Sequence, residues 1–181
     1  MSETPDKKVD VNQVLRYRRL VFYSEEIDKI NEQLTDFLDS TQAKAVLVVD
    51  IEGHLVTKMG YTKSLDTESL SALIAGSFAS TTQVANILGE EGFNEIFHQG
   101  KNDNIFIALV HERSMIVVIF DDRTTIGMVK FYADSLRKNL DAVFTETEQK
   151  RETEGPKEED DFLQDDFSDS MKSKLDDLFG L

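Results

Sequence analysis

Apolar residues between positions 24 and 42 recur every three or four places. Ile27, Ile30, Leu34, Phe37 and Leu38 fall on one side of a helix whose other positions are mostly charged or polar. Ser24 supplies an N-cap, and Glu25 and Glu26 place negative charge in the first turn. The period then changes. Residues 43–50 (AKAVLVVD) form a β-branched run that predicts a buried strand. Glu52-Gly53 supplies a turn, and residues 54–60 predict the return strand of a hairpin. Helical spacing resumes over residues 66–88, with Asp66 or Thr67 as cap, Glu68 in the first turn and Gly89 as the stop. Residues 94–100 predict a short strand with Phe97 inward. Residues 104–111 and 114–120 predict a second hairpin around Glu112-Arg113. A long helix opens at Thr124 and runs to about Glu148, with Ile126, Val129, Tyr132, Ala133, Leu136, Leu140, Val143 and Phe144 as its apolar positions. Hairpins dominate this order, so the strands are expected in one antiparallel sheet covered by helices.

The helix over 66–88 reads as two-faced. Leu70, Leu73, Ile74, Val84 and Leu88 suggest a core face, while Ala72, Ala75, Gly76, Ala79 and Ser80 form a stripe of small groups. Small residues bury little area of their own but let another backbone come close. Two readings follow: a shallow docking surface, or close packing of helix against helix.

The two ends differ from the middle. Residues 1–8 are polar, and residues 9–20 (VDVNQVLRYRRL) are weakly amphipathic with Arg16, Arg18 and Arg19 clustered. Those arginines read as a solvated face or as partners for an acidic surface. Residues 149–161 (QKRETEGPKEEDD) read as a flexible acidic linker. Beyond it, Phe162, Leu163, Phe167, Met171, Leu175, Leu178 and Phe179 return at helical spacing. A helix this short is marginal in water. It either packs on its own domain or enters a groove on a partner. The expected domains are therefore an extension over 1–21, a folded domain over 22–148, a linker over 149–161 and an amphipathic helix over 162–181.

Charge narrows the partners. The 181-residue chain carries a formal net charge of −15, which disfavours nucleic acid and anionic membranes. Its tail from Glu148 onward holds twelve acidic residues against five basic ones. No apolar run approaches a bilayer span, so no membrane insertion is expected. The N-terminus lacks the apolar stretch of a signal peptide, and the absence of cysteine excludes disulfides and thiolate ligands. A cytoplasmic location is expected.

Catalytic signals are sparse. Neither phosphate-cradling glycine motif is present, nor a nucleophile elbow. His54, His98 and His111 lack metal-ligand spacing, so no metal site and no cofactor are expected. Asp50 and Glu52 read as turn residues. Of Asp121 and Asp122, one is expected to cap the helix near Thr124 and the other to be solvated. An enzyme would be marked by a basic or metal-lined pocket around His98, His111 and Asp121.

The element order, the hairpin AKAVLVVDIEGHLV, the helix DTESLSALIAGSFAS and the segment VVIFDDRTTIGMVK together resemble the roadblock/LC7 family over roughly residues 22–148. The runs ILGEEGF, FHQG and VVIFDDRT narrow the resemblance to bacterial members that activate a small Ras-like GTPase governing cell polarity and gliding motility. The resemblance implies an α/β layered fold: a five-stranded antiparallel sheet with one helix on one face and two on the other, plus the C-terminal amphipathic helix on its linker. It implies a cytoplasmic homodimer, gathered in a polar cluster, joined through an edge strand holding Ile96, Phe97, His98 and Gln99, with the central helices side by side. The GTPase would dock on Ala72, Ala75, Gly76, Ala79, Ser80 and Gln83. Thr81, Thr82 and Gln83 depart from the run of small residues that the resemblance implies. The terminal helix, anchored by Met171, Leu175, Leu178 and Phe179, would touch a separate surface of the GTPase and tune nucleotide exchange. The chain itself would be no enzyme and would supply no catalytic residue; GTP or GDP and magnesium would belong to the partner. Arg113 and Arg123 stand at loop positions and are the candidates for an inserted arginine. The other reading is a scaffold that binds a GTPase or polarity complex without activating it.

Overall fold

A computed structural model of the chain describes residues 24–154. The arginine-bearing stretch over 9–20 and the anchors Met171, Leu175, Leu178 and Phe179 lie outside the described residues. The elements follow the predicted order: α1 (Ser24–Thr41), β1 (Ala45–Asp50), β2 (Leu55–Gly60), α2 (Thr67–Leu88), β3 (Glu95–Gln99), β4 (Asn104–His111), β5 (Ser114–Phe120) and α3 (Ile126–Glu154). The chain divides into two compact units after Phe144. The sheet, α1, α2 and α3 as far as Phe144 belong to the first.

The sheet is antiparallel throughout, in the order β2-β1-β5-β4-β3. β1 and β5 are central and buried along their whole length. Their unbroken apolar runs reflect cover on both faces. On one face Val46, Val48, Phe106, Ile116, Val118 and Phe120 meet Ile30, Leu34 and Phe37 of α1 and Val129, Ala133, Leu136, Leu140 and Phe144 of α3. On the other, Leu47, Val49, Ile107, Met115, Val117 and Ile119 meet Ile74 and Ala75 of α2. Two helices thus cover one face and a single helix the other. Each fully buried large side chain contributes about 1.5–3 kcal/mol. The face under α1 and α3 holds the larger share of them.

The ends of α2 are well defined. Asp66 caps the N-terminus, its side chain accepting from the Ser69 N–H at 3.1 Å. The Ser69 side chain first, and that backbone bond second, hold the Asp66 carboxyl below its usual range. Gly89 ends the helix in the left-handed conformation, and the Glu90 N–H returns to the Ala85 carbonyl. The start of α3 differs from expectation. Thr125 caps it, its hydroxyl accepting from the Met128 N–H and its carbonyl from the Val129 N–H. Asp121 instead closes the preceding turn: its carbonyl accepts from the Thr124 N–H and its carboxylate from the Arg123 N–H. α3 also continues past Glu148 to Glu154, into the stretch expected to be linker. Residues 149–154 contain no glycine or proline, so nothing in them stops a helix before Gly155-Pro156.

Candidate interaction surface

The side of α2 against the sheet is lined by Thr67, Ser71, Ile74, Ala75 and Ala85, with Leu70 and Phe78 half-buried beside them. Two of these positions are polar, and both hydroxyls are satisfied. Lys58 Nζ donates to Thr67 Oγ1 at 2.7 Å, and Ser71 Oγ donates to the Thr67 carbonyl at 2.7 Å. Leu73, Val84 and Leu88, expected in the core, face outward instead. Leu73 is 72% exposed and Leu88 65%, and Ile87 beside them is 84% exposed. The correction has a physical cause. Bonded Thr and Ser side chains fill the core positions, so the large apolar residues left over mark the opposite side of the helix.

Ala72, Gly76, Ala79, Ser80 and Gln83 are exposed along that outward side. Ala75 is not among them: it is buried against the sheet at 6% exposure and belongs to the core. The small residues near the start of α2 have a second role. Gly53, in the β1–β2 turn with φ +94°, lies so close that a Cβ there would stand 2.9 Å from Ala72 Cα and 3.4 Å from Ala75 Cβ. Thr81 and Thr82 are half-buried, their hydroxyls bonded to the Ser77 and Phe78 carbonyls. Of the three bulkier residues, only Gln83 is exposed.

β3 is one edge of the sheet and pairs only with β4. Ile96 packs toward the α2 face, while Phe97 stacks on Phe120 at 6.1 Å between ring centroids and remains 40% exposed. His98 and Gln99 are exposed. An unpaired strand edge is a surface that folded proteins normally cover.

The two arginine candidates are both engaged. Arg123 Nε donates to Asp121 Oδ1 at 2.9 Å. This contact is the chief cause that lowers the Asp121 carboxyl and raises the Arg123 guanidinium. Lys44 joins from the other side, 2.6 Å from Asp103 and 3.6 Å from Asp121, and its ammonium is raised chiefly by Asp103. Arg113 Nη2 lies 3.9 Å from Glu52 Oε1. The histidines are placed apart in the fold: His54 just before β2, His98 on β3 and His111 at the end of β4. Among the described residues one group of Asp, Glu and His side chains converges, Asp50 with Glu52 and His54. Asp50 Oδ1 accepts from the Glu52 and His54 N–H groups at 2.9 and 2.8 Å, which fixes the turn as the sequence suggests.

Residues 29–120 match the sequence profile of the Roadblock/LC7 domain. The chain belongs to the roadblock/LC7 family. Among solved structures, Myxococcus xanthus MglB is 36% identical, with 70% of this chain and 96% of that one covered at a TM-score of 0.66. The gliding protein MglB from Thermus thermophilus is 28% identical over the same shares, with a TM-score of 0.67. An MglB with a tetrameric arrangement is 27% identical, also at 0.67. No curated protein sequence matches the chain. Among the described residues no helix is long and apolar enough to cross a membrane. This roadblock/LC7 chain thus shares the fold of the MglB structures, with its outward α2 face and β3 edge exposed.

Proposed function

We propose that this protein is an MglB-like homodimeric activator of a small Ras-like GTPase of the MglA kind, acting in bacterial cell polarity and motility. The observation that supports this most is the outward side of α2. It is apolar at Leu73, Val84, Ile87 and Leu88, small at Ala72, Gly76, Ala79 and Ser80, and exposed throughout. Two copies joined through β3 would bring two such helices together. The large apolar residues would then be covered in part by the second copy, and the small ones would seat the switch regions of the GTPase. Such a clamp repositions the partner's own catalytic residues and lends no side chain. The engagement of Arg113 and Arg123 by carboxylates supports that route. The partner brings the nucleotide and its magnesium.

The test replaces Ala79 by Arg. The side chain is exposed in the single chain, so the fold is retained; the dimer, checked by its mass, is expected to persist, while binding to the GTP-loaded partner in a pull-down is lost. Undiminished binding would remove α2 as the docking surface. GTP turnover by the partner, with and without this chain, separates activation from mere scaffolding: an activator raises it and a scaffold leaves it unchanged. The segment over 162–181 is assigned to a second contact on the GTPase. Its deletion changes nucleotide exchange or affinity and leaves the unfolding temperature unchanged; a fall in unfolding temperature would assign the segment to the fold.

A further inference from the structure

We infer, resting on the dimer proposed above, that two copies of this chain pair antiparallel through β3 about a two-fold axis at Phe97, which fixes the register of their joined sheet. The direction of the β3 backbone decides it. The Leu109 N–H bonds to the Asn94 carbonyl, and β3 pairs with β4 without a register shift from Glu95↔Ala108 to Gln99↔Asn104. Along an antiparallel strand, residues whose N–H and C=O bond one neighbour alternate with residues whose groups point to the other side. Asn94, Ile96 and His98 therefore bond β4, while Glu95, Phe97 and Gln99 turn their N–H and C=O groups to the open edge. The opposite edge of the sheet is blunted. β2 carries a bulge where its pairing passes from Val48 to Val49, and a lysine, Lys58, whose ammonium bonds Thr67. Bulges and lysines keep an edge from pairing. β3 has neither.

The side chains choose the register. In the proposed dimer both α2 helices lie on one face of the joined sheet, so the two-fold axis is normal to it. Directly opposed residues then belong to the same face, and the axis passes through a residue rather than between two. With the axis at Phe97, Glu95 stands opposite Gln99 of the second copy, Phe97 stands opposite its own counterpart, and every outward N–H and C=O of both strands is bonded. An axis at Ile96 leaves Gln99 beyond the paired strand, one at His98 leaves Glu95, and one at either end leaves two of these residues unpaired. The Glu95 carboxylate is drawn back onto α3 by Lys130 at 2.7 Å and Arg137 at 3.5 Å, which keeps the edge clear of an unpaired charge. Phe97 is 40% exposed although it stacks on Phe120. The opposed Phe97 covers the part of the ring left open, as a cross-strand aromatic pair. On the α2 face, Ile96 meets His98 of the second copy in the closer, non-hydrogen-bonded arrangement.

The chain contains no cysteine, so single introduced cysteines report the register directly. A disulfide needs Cα atoms about 4.4–6.8 Å apart, and opposed antiparallel residues lie about 4.5–5.5 Å apart. Under mild oxidation of the full-length protein, Phe97→Cys is expected to cross-link to itself. Ile96→Cys and His98→Cys are expected to link at least tenfold faster when mixed than either does alone. Phe97→Asp, which sets two carboxylates at the axis, should raise the dimer dissociation constant at least tenfold. Fast self-linking of Ile96→Cys or His98→Cys would move the axis and overturn the assignment, while the dimer of the proposed function would stand. Absence of all these cross-links in a protein whose mass by light scattering is that of a dimer would place the interface elsewhere and overturn it as well. A monomeric mass for the unsubstituted protein would remove both the register and the dimer.

Discussion

Single residues decide how close α2 comes to the sheet's hairpin turn. Gly53 sits at φ +94° with the Ala72 backbone directly above it. Gly53→Ala would combine an unfavourable backbone conformation with a contact at 2.9 Å that Ala72 Cα cannot relieve. The expected cost is about 1–3 kcal/mol, read by urea denaturation; an unchanged midpoint would mean that the turn and α2 are not in contact. Asp66 and Asp121 act through charge. Both carboxyls are held below their usual range, Asp66 by Ser69 and Asp121 chiefly by Arg123. A depressed folded-state pKa contributes stability that is present above the unfolded value of about 4 and is lost as pH falls through the folded one. The unfolding temperature should therefore fall as pH drops below about 4, and less so in an Asp66→Ala, Asp121→Ala double variant. Equal slopes would remove both residues from the acid response.

At the scale of elements, α2 separates what the pattern of residues reveals from what it conceals. The strands were legible because β1 and β5 are covered on both faces, which demands an unbroken apolar run, and because Glu52-Gly53 and Glu112-Arg113 mark their turns. The caps at Asp66 and Gly89 were legible for the same local reason. The orientation of α2 was not. Thr67 and Ser71 look like surface residues until Lys58 and the Thr67 carbonyl are seen to satisfy them, whereas Leu73 and Leu88 look like core. Spacing alone cannot say which apolar residues a helix buries when its outer side is also apolar. Ile74 and Leu73, adjacent in sequence, make the test. Ile74→Ala should cost about 2–5 kcal/mol of stability, and Leu73→Ala less, its effect falling on association with another chain. The reverse ranking in denaturation experiments would turn the helix over. Ala75 and its neighbours carry the same lesson for the candidate surface: five of the six expected docking residues share an exposed face, and the sixth serves the core.

For the molecule as a whole, the proposed activation of a GTPase could work by holding the partner or by reaching into it. A GTPase activator that inserts an arginine supplies roughly 10³–10⁵ in rate through that one side chain. An inserted arginine must leave its own protein and meet the γ-phosphate. Arg123 starts at 2.9 Å from Asp121, within a cluster that Lys44 and Asp103 extend. Arg113 starts beside Glu52. Drawing either one out leaves a carboxylate behind in a chain that already carries a formal charge of −15. The small, shallow character of the α2 face argues the same way, because it suits broad contact with the switch regions. Arg113→Ala and Arg123→Ala should therefore each retain most of the stimulation of GTP hydrolysis, measured in single turnover at saturating activator so that affinity does not enter. A loss approaching a thousandfold in either variant would make that arginine the catalytic element and would replace clamping with insertion.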